Sequence, residues 1–159
     1  MGATATLDQV ISATPDGYPR EVTKSNINRI LIGCALHRPA FRVFCETPFQ
    51  VDEQNCLVPD VSLIASARIV PGSAGLFQGA PELAIEIVFA ELATSLESKI
   101  ELYFSHGGRS VWVVYPKKRI IRVFDASGGA TRFEHDRPLV DPAVLPGFSI
   151  PTSAIFEGV

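Results

Sequence analysis

Leu83-Ala84-Ile85-Glu86-Ile87-Val88-Phe89 is apolar on both parities: Leu83, Ile85, Ile87 and Phe89 fall on one face, and Ala84 and Val88 flank Glu86 on the other. A strand with that pattern is covered on both sides. After it, Leu92, Leu96, Tyr103 and Phe104, with Lys99 and Ile100 between, fit an amphipathic helix that stops at His106-Gly107-Gly108, a good C-cap. Residues 110–115 read as a strand again. Strand, helix and returning strand predict a right-handed parallel crossover inside an otherwise antiparallel sheet.

Downstream, Pro116-Lys117-Lys118 turns into residues 119–125, where Ile120, Arg122 and Phe124 alternate with Ile121 and Val123 to give a hairpin. A shorter strand over 131–134 follows. Upstream, residues 67–80 carry Pro71, Gly72, Gly75 and Gly79 without periodicity, and predict a mobile flap or a binding loop. Residues 41–46 and 57–65 read as two strands of a hairpin whose turn lies within 48–55. Residues 21–36 place Ile27, Ile30, Leu31, Cys34 and Ala35 at helical spacing, with His37-Arg38-Pro39 as a basic end and a stop.

The predicted order is helix, three strands, helix, two or three strands. It defines an α/β fold with a mixed β-sheet, mainly antiparallel with one βαβ crossover, flanked by helices. The 159 residues, 47% hydrophobic, suffice for one compact core and not for two. With no repeat, low-complexity tract or linker, residues 1–159 read as a single domain.

Composition excludes several classes. A mean hydropathy of +0.22 with 12 Gly and 12 Pro excludes a disordered or collagen-like chain. The apolar runs, the longest at residues 30–36 and others such as 83–85 shorter still, fall far short of the roughly 20 residues of a membrane helix. No basic segment followed by an apolar one opens the chain, which predicts a cytoplasmic protein. Cys34, Cys45 and Cys56 form no Cys-x-x-Cys pair, so they read as small buried hydrophobes in a reducing compartment. Gly72-Ser73-Ala74-Gly75 follows a proline in a loop rather than a strand, which speaks against a serine hydrolase. No glycine-rich phosphate loop opens a helix. His37, His106 and His135 are scattered, and the first two sit at predicted helix C-termini, where the dipole favours them, so all three read as structural.

Charge is distributed unevenly. The net charge of −3 speaks against binding nucleic acid by bulk electrostatics. Residues 46–101, however, hold nine acids against Arg68 and Lys99, whereas residues 107–132 hold six bases against Asp125 alone. An acidic patch for a divalent cation beside a basic surface for a polyanion suits metal-assisted phosphodiester chemistry, although two solvated faces give the same counts. Glu86 in a strand covered on both faces is costly without a cation or a metal beside it. Lys99 lies on the following helix, and Tyr103, four residues on, shares its helical face. A buried Glu–Lys ion pair with no catalytic task would fit as well. Asp60, after Pro59 at the start of a strand, comes near Glu86 if the two strands are neighbours. Two hard oxygen donors with open water positions suit Mg2+ or Mn2+ better than zinc, whereas an isolated Pro-Asp merely ends a turn.

Several motifs occur in a fixed order: Pro59-Asp60-Val61, Gly79-Ala80-Pro81 before the Glu86 strand, Lys99 with Tyr103, Gly108 through Trp112 to Pro116, and Leu145-Pro146-Gly147-Phe148-Ser149-Ile150-Pro151. With them, residues 58–156 resemble the Uma-two family of bacterial restriction endonucleases, which have the PD-(D/E)xK nuclease fold. The resemblance implies a restriction-endonuclease-like core in which Asp60 and Glu86 bind the metal. It implies that Lys99 stands for the family's catalytic lysine, moved from strand to helix, because Val88 occupies the place two after the glutamate. The implied activity is Mg2+-dependent (or Mn2+-dependent) endonucleolytic hydrolysis of DNA by a metal-activated water attacking in line, with Lys99 orienting it or stabilising phosphoryl charge.

Arg109, Lys117, Lys118 and Arg122 are candidate nucleic-acid contacts, and Glu21 is the candidate for the first-helix glutamate that assists the metal in related nucleases. Phe89-Ala90 departs from the family's Ser-Pro, Glu97 stands near its usual Asp, and Tyr115 replaces its Asp before Pro116. The family's N-terminal Glu-Leu-x-x-Gly is not recognisable. Two other readings stand beside this one. The chain could be a catalytically degenerate nuclease-fold protein that binds nucleic acid or a protein, or a structural homodimer, motivated by its apolar content and open sheet edges. A homodimer is compatible with all three.

Overall fold

Every residue of the strand Leu83–Ile87 is buried, and its two faces enter two separate cores. In the computed structural model, which describes residues 4–7, 17–72, 75–90 and 93–159, this strand lies inside a six-stranded sheet. The elements run α1 (Gly17–Leu36), β1 (Phe41–Cys45), β2 (Phe49–Gln50), β3 (Cys56–Leu57), β4 (Val61–Ala65), β5 (Phe77–Gln78) and β6 (Leu83–Ile87). Then follow α2 (Ala93–Ser105), β7 (Ser110–Tyr115), β8 (Ile120–Asp125), β9 (Ala130–Glu134), β10 (Pro138–Asp141) and β11 (Leu145–Pro151). The large sheet has the order β1-β4-β6-β7-β8-β9; only β6 and β7 are parallel, and α2 makes the crossover between them. Among the described residues no helix is long and apolar enough to cross a membrane.

The odd positions of β6 (Leu83, Ile85, Ile87) pack with Ile27 and Leu31 of α1, Trp112 and Val114 of β7, and Phe156. The even positions face the other way: Ala84, with Val88 just beyond the strand, joins Leu96 and Tyr103 of α2 and Val111 and Val113 of β7. The alternation read from the sequence is therefore the partition between α1 and α2. Each fully buried Leu or Ile contributes about 1.5–3 kcal/mol, so this strand anchors the molecule.

Several elements differ from expectation. The predicted strand over 57–65 is two strands, because Pro59 has no N–H for a ladder and breaks the run. β3 pairs with β2 instead, in a small three-stranded sheet β3-β2-β5. β1 and β4 pair antiparallel as the hairpin reading expects, Val43 opposite Leu63, with β2 and β3 inserted between them. The stretch 67–80 is tied at both ends, by the 3-10 turn Ser66–Arg68 and by β5, which pairs parallel with β2. Ser73 and Ala74 of the Gly72-Ser73-Ala74-Gly75 reading, and Leu92, lie outside the described residues. Helix α1 starts at Gly17 rather than residue 21, with Pro19 in its first turn, where the missing N–H costs nothing. Cys45 and Cys56 are exposed, not buried, since one ends the edge strand β1 and the other lies in the outer strand β3; Cys34 alone is half-buried.

Candidate active site

Strands β4 and β6 pair antiparallel with Val61 opposite Ile85, so Asp60, one residue before β4, comes level with Glu86. Pro59 ends the preceding run and leaves Asp60 at the strand mouth. There its Oδ2 accepts the backbone N–H of Ile87 at 2.7 Å, and its Oδ1 lies 3.1 Å from the Arg20 guanidinium of α1. Arg20 also sits 5.3 Å from the centre of the Phe89 ring, and Lys117 sits 5.6 Å from the same ring. An aromatic just past β6 thus draws two cations to this end of the sheet.

Glu86 is only 5% exposed. Its Oε1 accepts the Tyr103 hydroxyl at 2.6 Å, and its Oε2 lies 3.5 Å from Lys99 Nζ. Both partners come from α2, where residues four apart share a face. The short bond from fully buried Tyr103 holds the carboxylate in place, whereas the Lys99 side chain is 35% exposed and reaches toward solvent. The end of α2 fixes Tyr103 in turn. Gly107 has φ +100, and the N–H of Gly108 donates to Tyr103 O at 2.8 Å. A Cβ on Gly108 would lie 2.6 Å from that oxygen, closer than side chains tolerate, so the helix stops here against β7.

Two carboxylates side by side are hard oxygen donors, the chemistry that suits a divalent cation such as Mg2+. Asp60 is met by Arg20 and the Ile87 N–H, and Glu86 by Tyr103 and Lys99, so both carboxylates are held as oriented oxygen acceptors. Ser62, on β4 opposite Ala84, carries a buried hydroxyl with no hydrogen-bond partner among the described residues. Among the described residues no group of three or more His, Cys, Asp and Glu could hold a metal. Two carboxylates completed by waters and substrate oxygens is the coordination Mg2+ favours, while structural zinc takes four ligands, mostly nitrogen or sulfur.

Other predicted residues fall in different places. Glu21 lies 3.1 Å from Lys24, which also lies 3.1 Å from Glu46, the residue whose backbone N–H donates to the Asp60 carbonyl at 3.2 Å. Burial works to lower the Lys24 pKa, but the hydrogen bonds and charges of Glu21 and Glu46 outweigh it and raise the group above its ordinary value. Lys117 and Lys118 occupy the 3-10 turn between β7 and β8. Arg122 stands opposite Val113, itself opposite Glu86, two strands from the acid on the same face. Arg109 lies just before β7, at the opposite end of that strand from Lys117 and Lys118. Arg20 is the residue that sequence reading missed: a lone arginine after Pro19 has neither motif nor periodicity to mark it.

A mixed sheet with one parallel crossover and an acid pair level across neighbouring strands defines a nuclease-like fold. The structure is similar to that of a crystal structure described as "a putative nuclease belonging to DUF820" from Anabaena variabilis, with a TM-score of 0.77 and 20% identity over 87% of this chain and 80% of that chain. The chain belongs to the Uma2 family, described as "Putative restriction endonuclease", whose model matches residues 7–153. No curated protein matches it.

Proposed function

We propose that this chain is a Mg2+-dependent endonuclease acting on DNA, with Asp60 and Glu86 holding the metal and Lys99 assisting at the reacting phosphate. The observation that carries the reading is the level placement of Asp60 and Glu86 on adjacent strands, with Lys99 at 3.5 Å from Glu86. When bound, Mg2+ supplies Lewis acidity that activates water and neutralises phosphoryl charge. The chain's own residues do the rest. Tyr103 keeps the Glu86 carboxylate in one orientation through its 2.6 Å bond. The Ile87 amide does the same for Asp60. Lys99, partly exposed and on a long flexible stem, can move its ammonium from Glu86 to the extra charge on the phosphoryl oxygens. Lys117, Lys118 and Arg122 offer phosphate contacts on the Glu86 side, and Arg109 offers one at the far end of β7.

Nicking of supercoiled plasmid tests this. Wild type with Mg2+ or Mn2+ is expected to nick, a chelator to abolish nicking, and Glu86→Gln or Lys99→Ala to slow it by about a hundredfold or more. A folded wild type that binds plasmid and never nicks it with either metal replaces this reading with a nucleic-acid-binding module on a nuclease scaffold.

A further inference from the structure

Arg122 of β8 and Arg132 of β9 are direct cross-strand partners. Side chains so placed share a face, with Cβ atoms about 4.5–5.5 Å apart, and like charges in that position repel. Neither residue is needed by the core, because both are exposed. Their neighbours steer them: Arg122 lies 5.0 Å from the Phe124 ring centre, and Arg132 bonds Glu134 at 2.7 Å, two residues along its own strand. With Tyr115, Lys118, Ile120 and Ala130 the two arginines line an open concavity of about 610 Å³. Helix α2 leaves this part of the sheet uncovered, since its buried residues, Leu96 and Tyr103, pack with β7 side chains.

The pair is also aligned with the acid site. Glu86, Val113, Arg122 and Arg132 are consecutive partners across β6, β7, β8 and β9, one straight row on one face. At the usual strand spacing, Arg122 lies about 10 Å and Arg132 about 14 Å from Glu86, backbone to backbone.

We propose that Arg122 and Arg132, with Lys118 beside them, form a second phosphate seat that grips the nucleic-acid backbone a few nucleotides from the bond at Glu86 and sets which phosphate reaches the acids. A polyanion is the ligand that turns a repelling arginine pair into a favourable one. The seat rests on the nuclease reading for its polymer, but its anion chemistry stands on the row itself.

Fluorescence anisotropy of a labelled DNA duplex in EDTA, followed over a range of salt, tests the seat without turnover. Wild type is expected to bind, with log affinity falling linearly against log salt. Arg122→Gln and Arg132→Gln should each flatten the slope by about 0.9, and the double variant by about 1.8. Glu134→Gln, which releases Arg132, should tighten binding, and by clearly less when Arg132→Gln is already present, a dependence that loss of a negative charge alone would not give. Melting temperatures close to the wild-type value are expected for both arginine variants, because both side chains are exposed, and they verify folding. Unchanged slopes in folded variants, or a wild type that binds no duplex, overturn the seat. Slopes as expected with no plasmid nicking keep the seat and remove the nuclease reading instead.

Discussion

At the scale of single residues, Glu86 is held by a donor that is fully buried and a cation that is not, and the two partners have separable effects. Tyr103→Phe deletes the hydroxyl and leaves Glu86 Oε1 short of its 2.6 Å partner inside the protein. Urea unfolding should show a loss of about 1–3 kcal/mol, the cost of an unsatisfied buried polar group. A loss near zero would mean that water serves Oε1 equally well. Lys24 gives a pH signature. Its pKa is raised in the folded protein by Glu21 and Glu46 against the effect of burial, so its contribution is complete below the unfolded value of about 10.4 and fades as pH rises through the folded one. Wild type should therefore lose stability more steeply than Lys24→Met as pH climbs above about 10.4, measured by urea midpoints across that range. Parallel curves would contradict this. Glu86, Lys99 and Tyr103 were legible because a charge in an apolar strand demands a partner, and helical spacing limits where it comes from. Arg20 was not, because its contact with Asp60 spans 40 residues and depends on how α1 packs.

At the scale of elements, the β6-α2-β7 unit carries the site, and its closure depends on Gly108. Gly108→Ala forces a Cβ to 2.6 Å from the Tyr103 carbonyl, so α2 must shift where Tyr103 meets Glu86. The expected cost is about 1–3 kcal/mol in stability, with a change in Tyr103 fluorescence or near-ultraviolet dichroism as its side chain moves. A stable, spectroscopically unchanged variant would show that the contact relaxes freely. This unit and the strand after it were readable because their periodicities are clean: both parities apolar in β6, helical spacing in α2, and alternation in β8.

The β10–β11 hairpin was not readable as strands. Pro138, Pro146, Gly147 and Pro151 interrupt every local signal, and the pair forms because of long-range packing. Asp141, the last residue of β10, is buried and accepts both the Ser110 hydroxyl at 2.5 Å and the Trp112 indole N–H at 2.7 Å. The Phe148 ring lies 6.1 Å from that of Trp112. The split of residues 57–65 into β3 and β4 had a visible cue in Pro59, outweighed by the apolar run on either side.

At the scale of the whole molecule, the uneven charge seen in the sequence becomes a direction on one sheet face. Acids at Asp60 and Glu86 lie toward one side, and arginines on β8 and β9 toward the other. A net charge of −3 thus coexists with a local pair of aligned arginines. The family match and the shared fold place the chain among nuclease-like proteins, and the acid pair is the feature on which its proposed chemistry turns.

Titration calorimetry of Mg2+ and Mn2+ into wild type and Asp60→Asn, followed by the same samples on supercoiled plasmid, tests that feature most directly. Wild type is expected to bind about one metal per site, Asp60→Asn to lose that binding, and wild type alone to nick. Folded wild type that takes up neither metal would contradict this.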